Sequence, residues 1–413
     1  MRIFSGRAAA ARVRKIAERS SQLSEVEPSV RKIVDDVRRN GDRALRRYAR
    51  RWDGLGARDS LRVDGAQIRS AWKSAPAELR SALQQAAANI RQFCEWQKPV
   101  EWTRVQSGIK LGQLVRPLES VGCYVPGGRY PLISTLLMTV IPAQVAGVKN
   151  IRVVSPRPRP EVLAAAGMLG VEEFYRVGGA QAIAALAYRT ETVPRVDKIV
   201  GPGNSFVTAA KKLVSFDCAS DFLAGPTEVL IVSDKGEPRF IVSDLVAQAE
   251  HDPQALALFI TTSRRLAEAV SSSAKVAARG NSVAQQSLRA NGAILLAESR
   301  QQAFEWANQI APEHITVERE DVSRIQNAGS VFVGDYSPQA AGDYASGPNH
   351  VLPTAGVARF RGGLSVLDFV KLITVQELSS RGLRRIAPAV EQLAEAEGLR
   401  AHAESIRVRS AHA

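Results

Sequence analysis

Histidine is scarce in this 413-residue chain, so acid–base or metal chemistry that uses imidazole depends on five positions. They are His251, His314, His350, His402 and His412. His314 directly follows a glutamate, and an adjacent carboxylic acid and imidazole can share proton transfer near neutral pH. Successive strand residues point to opposite faces, so Glu313 and His314 can serve one site only at a bend or a strand edge. Two separate surface side chains are the alternative for this dipeptide.

A second group of residues could hold a metal ion. Gln248 and His251 are three positions apart near the end of a predicted helix, so both side chains project from one face. Further ligands would have to come from His314, His350, His402 and Asp343. Imidazole and carboxylate ligands suit zinc, among other metals. A helix cap or a surface position is the alternative for His251.

Three Gly-rich turns between a predicted strand and a predicted helix are candidate anion sites. They are Pro126-Gly127-Gly128, Val177-Gly178-Gly179-Ala180-Gln181 and Gly201-Pro202-Gly203-Asn204. Backbone N–H groups and the helix dipole favour a phosphate there. None is a complete G-x-G-x-x-G, because Phe206 stands where the last glycine of the third turn belongs. Together they favour a nucleotide; singly, each could be a tight turn.

The elements that must position these residues alternate between short apolar strands and helices from Val121 onward. This alternation indicates βαβ units around parallel sheets, so the fold class is α/β. A second α/β unit spans about 229–364 and includes a long Gly/Pro-rich loop at 335–363, a length that is usually functional. The first hundred residues and the last fifty have mainly helical patterns.

The composition is that of a globular protein, with 45% hydrophobic and 23% charged residues, which excludes a disordered or fibrous chain. The formal net charge is +14, and residues 1–52 contribute most of it. Such a basic segment can indicate nucleic acid or an anionic membrane surface. Its low aromatic content makes nucleic acid an improbable partner and favours a solvated helical face.

Cysteine usage and hydropathy indicate the cellular compartment in which the protein is expected. Cys94, Cys123 and Cys218 are far apart and odd in number, so we expect no disulfide framework and a reducing, cytoplasmic environment. The N-terminal residues contain no apolar segment typical of a secretory signal. The longest uncharged run, 130–148, contains Pro131 and Pro142 and is typical of a buried helix with a break rather than a membrane span.

Long blocks of this sequence resemble the histidinol dehydrogenase family, and they cover nearly the whole chain. The blocks are Gly122-Cys-Tyr-Val-Pro-Gly-Gly128, Val177-Gly-Gly-Ala-Gln-Ala182, Gly201-Pro-Gly-Asn204, Ala224-Gly-Pro-Thr-Glu-Val229, Gln248-Ala-Glu-His251, Ala311-Pro-Glu-His314, the loop Ala341–Pro353, and Glu397-Gly-Leu-Arg-Ala-His402. Such blocks in one order are far more specific than any single short motif.

The resemblance implies a reaction and a pair of catalytic residues. The family oxidises L-histidinol to L-histidine through a bound aldehyde and uses two NAD+. His314 would take the alcohol proton as hydride leaves. Glu313 would activate the water that hydrates the aldehyde, with help from His314.

The resemblance also implies binding residues. One zinc ion per subunit would be held by Gln248, His251, Asp343 and His402 and would orient the substrate. Further substrate contacts would come from His314, Thr227, His350 and Glu397. NAD contacts would come from Tyr124, Gln181 and Asn204. Thr227 stands where serine is also common in the family, and both residues offer a hydroxyl.

By resemblance, the fold comprises two Rossmann-like α/β domains, a helical basic N-terminal segment and a helical C-terminal tail. The expected division has an arm at 1–20, a discontinuous first domain with the zinc and catalytic residues at 21–122 and 229–364, an NAD-binding domain at 123–228, and a dimerisation tail at 365–413. The tail would cross to the partner of a homodimer, so that Glu397 and His402 complete the partner's site.

Two other functions are weighed against this one. A related dehydrogenase of another small polar alcohol should lack some imidazole-binding residues, yet the expected zinc set and Glu397 are present. A nucleic-acid-binding protein on a former enzyme scaffold should lack catalytic residues. The presence of Glu313 and His314 argues against it.

Overall fold

The computed structural model describes residues 1–19, 23–127, 132–222 and 225–411. Gly128, Ala224 and His412, which were singled out in the sequence, lie outside the described residues.

The helices are α1 Gly6–Ala17, α2 Glu27–Trp52, α3 Gly65–Ser74, α4 Ala77–Gln97, α5 Ile133–Ala146, α6 Pro160–Met168, α7 Gly179–Tyr188, α8 Ser205–Val214, α9 Pro238–Ala249, α10 Arg264–Ala277, α11 Ser282–Ala290, α12 Arg300–Ile310, α13 Gln339–Tyr344, α14 Ser380–Ala396 and α15 Arg400–Ser410. Short 3-10 turns lie at Arg319–Arg324, Val357–Arg359 and Val366–Phe369.

The strands are β1 Arg2–Ser5, β2 Trp102–Gln106, β3 Ile109–Pro117, β4 Ser120–Tyr124, β5 Asn150–Val154, β6 Glu173–Tyr175, β7 Lys198–Val200, β8 Ala219–Ser220, β9 Glu228–Val232, β10 Leu256–Thr261, β11 Ala293–Leu296, β12 His314–Val317, β13 Ser330–Val333 and β14 Val370–Leu378.

Two parallel sheets share one topology. The five-stranded sheet has the order β6-β5-β4-β7-β8, and the six-stranded sheet has the order β1-β11-β10-β9-β12-β13. Apart from the added β1, each sheet follows the order 3-2-1-4-5 of its own strands, which is the Rossmann arrangement. All pairings in both sheets are parallel. The prediction of an α/β fold with two Rossmann-like units is therefore confirmed.

The N-terminal residues are part of the folded body. β1 pairs with β11 at the edge of the six-stranded sheet, and α1 packs against α12. Apolar positions of α2 and the loop after it share a core with α7 and α8, while α3 packs on α6 and α4 on α5. The helices of 27–97 thus cover the five-stranded sheet, whereas 21–122 was expected to form one domain with 229–364. The hydrophobic periodicity identified these helices, but it does not say which sheet they cover.

α2 is interrupted at Gly41, which has φ 49° and ψ −133°. Only glycine adopts this conformation readily. The chain therefore changes direction inside α2 while both halves keep their apolar faces on the same core. Within the uncharged run, Ile133–Ala146 forms α5, which is buried along most of its length and continues through Pro142 without the expected break. No helix in the described ranges is long and apolar enough to cross a membrane.

A third, antiparallel sheet of order β14-β3-β2 was not expected. It corrects the wholly helical description of 365–413, because β14 pairs with β3 along nine residues before α14 and α15 begin. Most residues of β2 and β14 are exposed. Without a buried face, these strands lack the apolar alternation by which a half-buried strand is recognised.

Candidate active site

The predicted acid–base pair lies at the amino edge of the six-stranded sheet. α12 ends at Ile310, the following Ala311 turns the chain with a φ of 50°, and β12 begins at His314. Glu313 therefore precedes the regular strand, which allows both side chains to reach one site. Glu313 Oε2 lies 3.6 Å from His314 Nδ1, and both side chains are buried.

Residues at the start of β9, the neighbouring strand, hold this pair. The backbone N–H of Glu228 donates to Glu313 Oε2 at 2.7 Å, and the Thr227 hydroxyl donates to the same oxygen at 2.6 Å. The carbonyl oxygen of Glu228 lies 3.0 Å from His314 Nδ1. A carbonyl can only accept, so Nδ1 carries the proton and Nε2 faces the site. The site thus lies where the strand order reverses, but at the amino ends of the strands, whereas ligands of open α/β sheets usually bind at the carboxyl ends.

The second ring nitrogen of His314, Nε2, lies near a carboxylate on α13. Asp343 Oδ1 lies 3.5 Å from His314 Nε2, and the Phe332 ring is 5.8 Å from the imidazole ring. Burial alone would lower the pKa of His314, but the charges of Glu313 and Asp343 outweigh it and raise that pKa to about 10. Asp343 keeps a lowered pKa, because the imidazole offsets the cost of its burial.

His350 is held beside this carboxylate. Its Nδ1 donates to the backbone carbonyl of Asp343 at 2.7 Å, and its Nε2 lies 3.4 Å from the Thr135 hydroxyl. Burial lowers the pKa of His350, which favours the neutral imidazole. Because Thr135 belongs to α5, the polar loop before His350 connects the two α/β units. A cavity of about 300 Å³ is lined by His314, His350 and Phe332, among others.

Three expected metal ligands of one chain lie on this side of the site. The Gln248 amide, at the end of α9, donates to the Thr227 hydroxyl, so its Oε1 is the atom available to a cation. His251 is exposed and close enough to influence the pKa of Asp343. One amide oxygen, one imidazole and one carboxylate fit a zinc ion that takes a fourth ligand from elsewhere.

The two expected C-terminal residues are not brought to this site within one chain. Glu397 and His402 are exposed, and no hydrogen bond or ion pair found in the described residues links either one to Glu313, His314 or Asp343. Within the same residues, no group of three His, Cys, Asp or Glu side chains is arranged to hold a metal.

Two of the three expected NAD contacts lie close together at the carboxyl edge of the five-stranded sheet. Tyr124 ends β4, and its hydroxyl accepts from Gly179 N at 3.1 Å. Gln181 is 1% exposed, and its amide donates to Asp53 Oδ2 at 3.0 Å. Asp53 Oδ2 also accepts from Gly178 N at 3.0 Å, so this buried carboxylate shapes the Gly-rich turn. In this conformation Gln181 supports the turn rather than facing open space.

The third expected contact caps a helix. Asn204 is exposed, and its Oδ1 accepts from the N–H groups of Phe206 and Val207 at the start of α8. The preceding turn is fixed by the buried ion pair of Lys211 and Asp221, whose partners include the backbone of Gly201. β4 and β7 flank the point where this strand order reverses, so the turn lies where doubly wound sheets bind nucleotides.

Sequence reasoning missed several residues that hold the site. Asp53 lies far from its partners in sequence, and no spacing pattern predicts it. Glu228 directly follows Thr227 in a quoted block, so its position was a usable signal. Thr135 gave none.

Comparisons with known proteins place the chain in one family. The model of the family described as histidinol dehydrogenase matches residues 16–410. The histidinol dehydrogenase of Methanothermobacter thermautotrophicus is 47% identical and covers 96% of this chain and 97% of its own length. That of Thermus thermophilus is 46% identical over 93% of this chain and 94% of its own length. The crystal structure of histidinol dehydrogenase from Elizabethkingia anophelis superimposes with a TM-score of 0.94 at 36% identity, covering 99% of this chain and 98% of that one. This chain therefore belongs to the histidinol dehydrogenase family of oxidoreductases.

Proposed function

We propose that the protein oxidises L-histidinol to L-histidine through bound L-histidinal, using two NAD+ and one zinc ion per subunit. The observation that carries the proposal is the convergence of Glu313 and His314 beside Asp343. Four electrons must leave one carbon, so the substrate has to stay fixed while the dinucleotide exchanges.

The residues of the chain divide the proton transfers between them. His314 Nε2 faces the site, so it is the atom that takes the alcohol proton and later assists hydration of the aldehyde. Glu313 keeps a carboxylate 3.6 Å from the imidazole and activates the water that adds to the aldehyde. Thr227 donates to Glu313, and a serine or threonine hydroxyl suffices for that contact.

The metal and the dinucleotide would supply substrate binding by a cation and acceptance of electrons, which side chains alone do not provide. Gln248, His251, Asp343 and a fourth ligand would hold a zinc ion, which would orient the imidazole and amine of the substrate and offset the Asp343 charge that helps to raise the pKa of His314. NAD+ near Tyr124, Gln181 and Asn204 would accept a hydride in each oxidation. Gln181 would have to leave Asp53 to contact it directly.

The fourth zinc ligand is assigned to His402 of a second copy. Helices α14 and α15 pack mainly on each other, and few of their residues are buried. Exposed apolar residues of β14, these helices and the turn between them include Leu372, Ile373, Leu393, Leu399 and Val408. A segment this apolar and this exposed is typical of an interface. Docked on a partner, it would deliver Glu397 and His402 together.

The experiment that tests the proposed function is NADH formation by the purified protein. L-histidinol should give NADH in the presence of NAD+, and a zinc chelator should abolish it. A panel of other small polar alcohols, including a sulfonated diol, is the comparison. Turnover of such an alcohol in preference to L-histidinol would overturn the proposal and favour the related dehydrogenase.

A further inference from the structure

An ion pair between Arg19 and Glu228 lies directly behind the catalytic residues. The guanidinium binds the carboxylate with two bonds, Nε to Oε1 at 2.6 Å and Nη2 to Oε2 at 2.5 Å. The Glu228 side chain is 4% exposed and that of Arg19 is 18% exposed. A bidentate, buried pair of this kind fixes the orientation of both groups. Neither residue belongs to the expected catalytic, zinc, substrate or NAD set.

The Glu228 carboxylate also accepts hydrogen bonds from the backbone near the site, including the segment that carries the catalytic pair. Besides Arg19, it accepts the backbone N–H of Glu313 at 3.3 Å and the N–H of Ala355 at 2.9 Å. The backbone of the same residue holds Glu313 Oε2 and His314 Nδ1. One residue therefore contacts both catalytic side chains and the chain that bears them.

Arg19 also stabilises the turn before Glu313 through hydrogen bonds. Its guanidinium donates to the carbonyl of Ile310 at 2.9 Å and to that of Ala311 at 3.4 Å, at the end of α12. The carbonyls at a helix end have no partner within the helix, and a cation is favoured there. The turn, Glu228 and the end of α1 are thereby joined through one side chain.

We infer that Arg19 and Glu228 are positioning residues that hold Glu313 and His314 in their reactive orientation. The inference rests on the proposed function. Because zinc, and not this pair, would hold the substrate, disturbing the pair should slow both oxidation steps and leave substrate binding nearly unchanged. A misplacement of about 1 Å can cost roughly 10²-fold in rate.

The test compares single-turnover rates and KM for L-histidinol and L-histidinal in zinc-loaded dimers. Arg19→Met and Glu228→Gln should each lower both rates by about 10- to 100-fold and change KM by less than about threefold. Arg19→Lys keeps the charge and should recover part of the loss. Zinc content and dimer mass should stay as in the wild type.

The matched control is Arg300→Met, which removes another partly buried arginine at the opposite end of α12. Arg300 pairs with the buried Asp321. This variant should lose stability in thermal unfolding without loss of the single-turnover rate. An equal rate loss in Arg300→Met would make the effect one of general stability and would overturn the inference.

A second comparison guards against a variant that fails to fold. In a Glu313→Gln chain, Arg19→Lys should slow the aldehyde step by less than it does in the wild type, because one of the two residues that it positions for that step has lost its function. A fully additive loss would contradict the positioning role, as would wild-type rates in well-folded Arg19→Met or Glu228→Gln. Absence of NADH from the wild type would instead contradict the proposed function.

Discussion

The Nδ1 proton of His314 is donated to the carbonyl oxygen of Glu228 over 3.0 Å, which leaves Nε2 facing Asp343. Of the two ring nitrogens, Nε2 is thus directed to the site, and the backbone of the neighbouring strand sets the tautomer of the imidazole. This relationship determines which variants separate base catalysis from binding.

His314→Asn should nearly abolish oxidation of L-histidinol, with a loss of about 10²- to 10⁴-fold in kcat. No other described histidine lies beside Glu313 with a ring nitrogen directed to the site. Steady-state rates measure the loss, and zinc content and dimer mass show that the variant is intact. An intact variant that kept most of the wild-type rate would refute the assignment of His314 as the base.

Glu313→Gln should slow the aldehyde step more than the alcohol step, because an amide cannot activate water. The amide oxygen can still accept from Thr227 and from Glu228 N, so the local fold should survive. Single-turnover rates with L-histidinol and with L-histidinal separate the steps. Glu318→Gln, just after the other end of β12, is the matched control and should leave both rates unchanged. Equal slowing of the two steps would contradict the assignment of Glu313 as the residue that activates water.

Removal of zinc should abolish activity and leave the chain folded, because the expected ligands lie on separate elements around a large core. His251→Asn should weaken zinc binding strongly, since Gln248 is a neutral and weak ligand. Metal content after dialysis and circular dichroism check both statements. Tyr344→Phe, beside Asp343, should retain the metal. Full zinc occupancy in His251→Asn would remove His251 from the ligand set.

The proposed trans arrangement of the site predicts complementation between two inactive chains. His402→Ala and His314→Ala should each be inactive as homodimers. Refolded together in equal amounts, they should regain roughly a quarter of the wild-type rate, because half of the dimers are mixed and each mixed dimer has one complete site.

A mixture of Glu313→Ala with His314→Ala is the control for complementation. Both changes affect the same half of the site, so this mixture should stay inactive. If the first mixture also stayed inactive while mixed dimers demonstrably formed, the site would have to lie within one chain.

Much of the fold could be predicted from the sequence, for identifiable reasons. The strands between Val121 and Val333 are short apolar runs between helical patterns, and buried parallel strands have that appearance. The exposed strand Val370–Leu378 and its half-buried partner Ile109–Pro117 lack such a pattern, and they pair over more than 250 residues of sequence. The dipeptide proposed as catalytic could be singled out because its two residues are adjacent and belong to a long block.

The contacts among the supporting residues could not be predicted from the sequence. Arg19 and Glu228 are 209 positions apart, and only the folded chain brings them together. The burial of Gln181 against Asp53 is of the same kind, since residue type and motif predicted a dinucleotide contact but not the partner that now holds the side chain.

The central claim, two successive oxidations in one site, is tested most directly by stoichiometry. With limiting L-histidinol, excess NAD+ and zinc-loaded dimer, NADH is followed by absorbance and the product by chromatography. The account predicts two NADH and one L-histidine for each L-histidinol consumed. One NADH with release of L-histidinal, or no NADH at all, would contradict it.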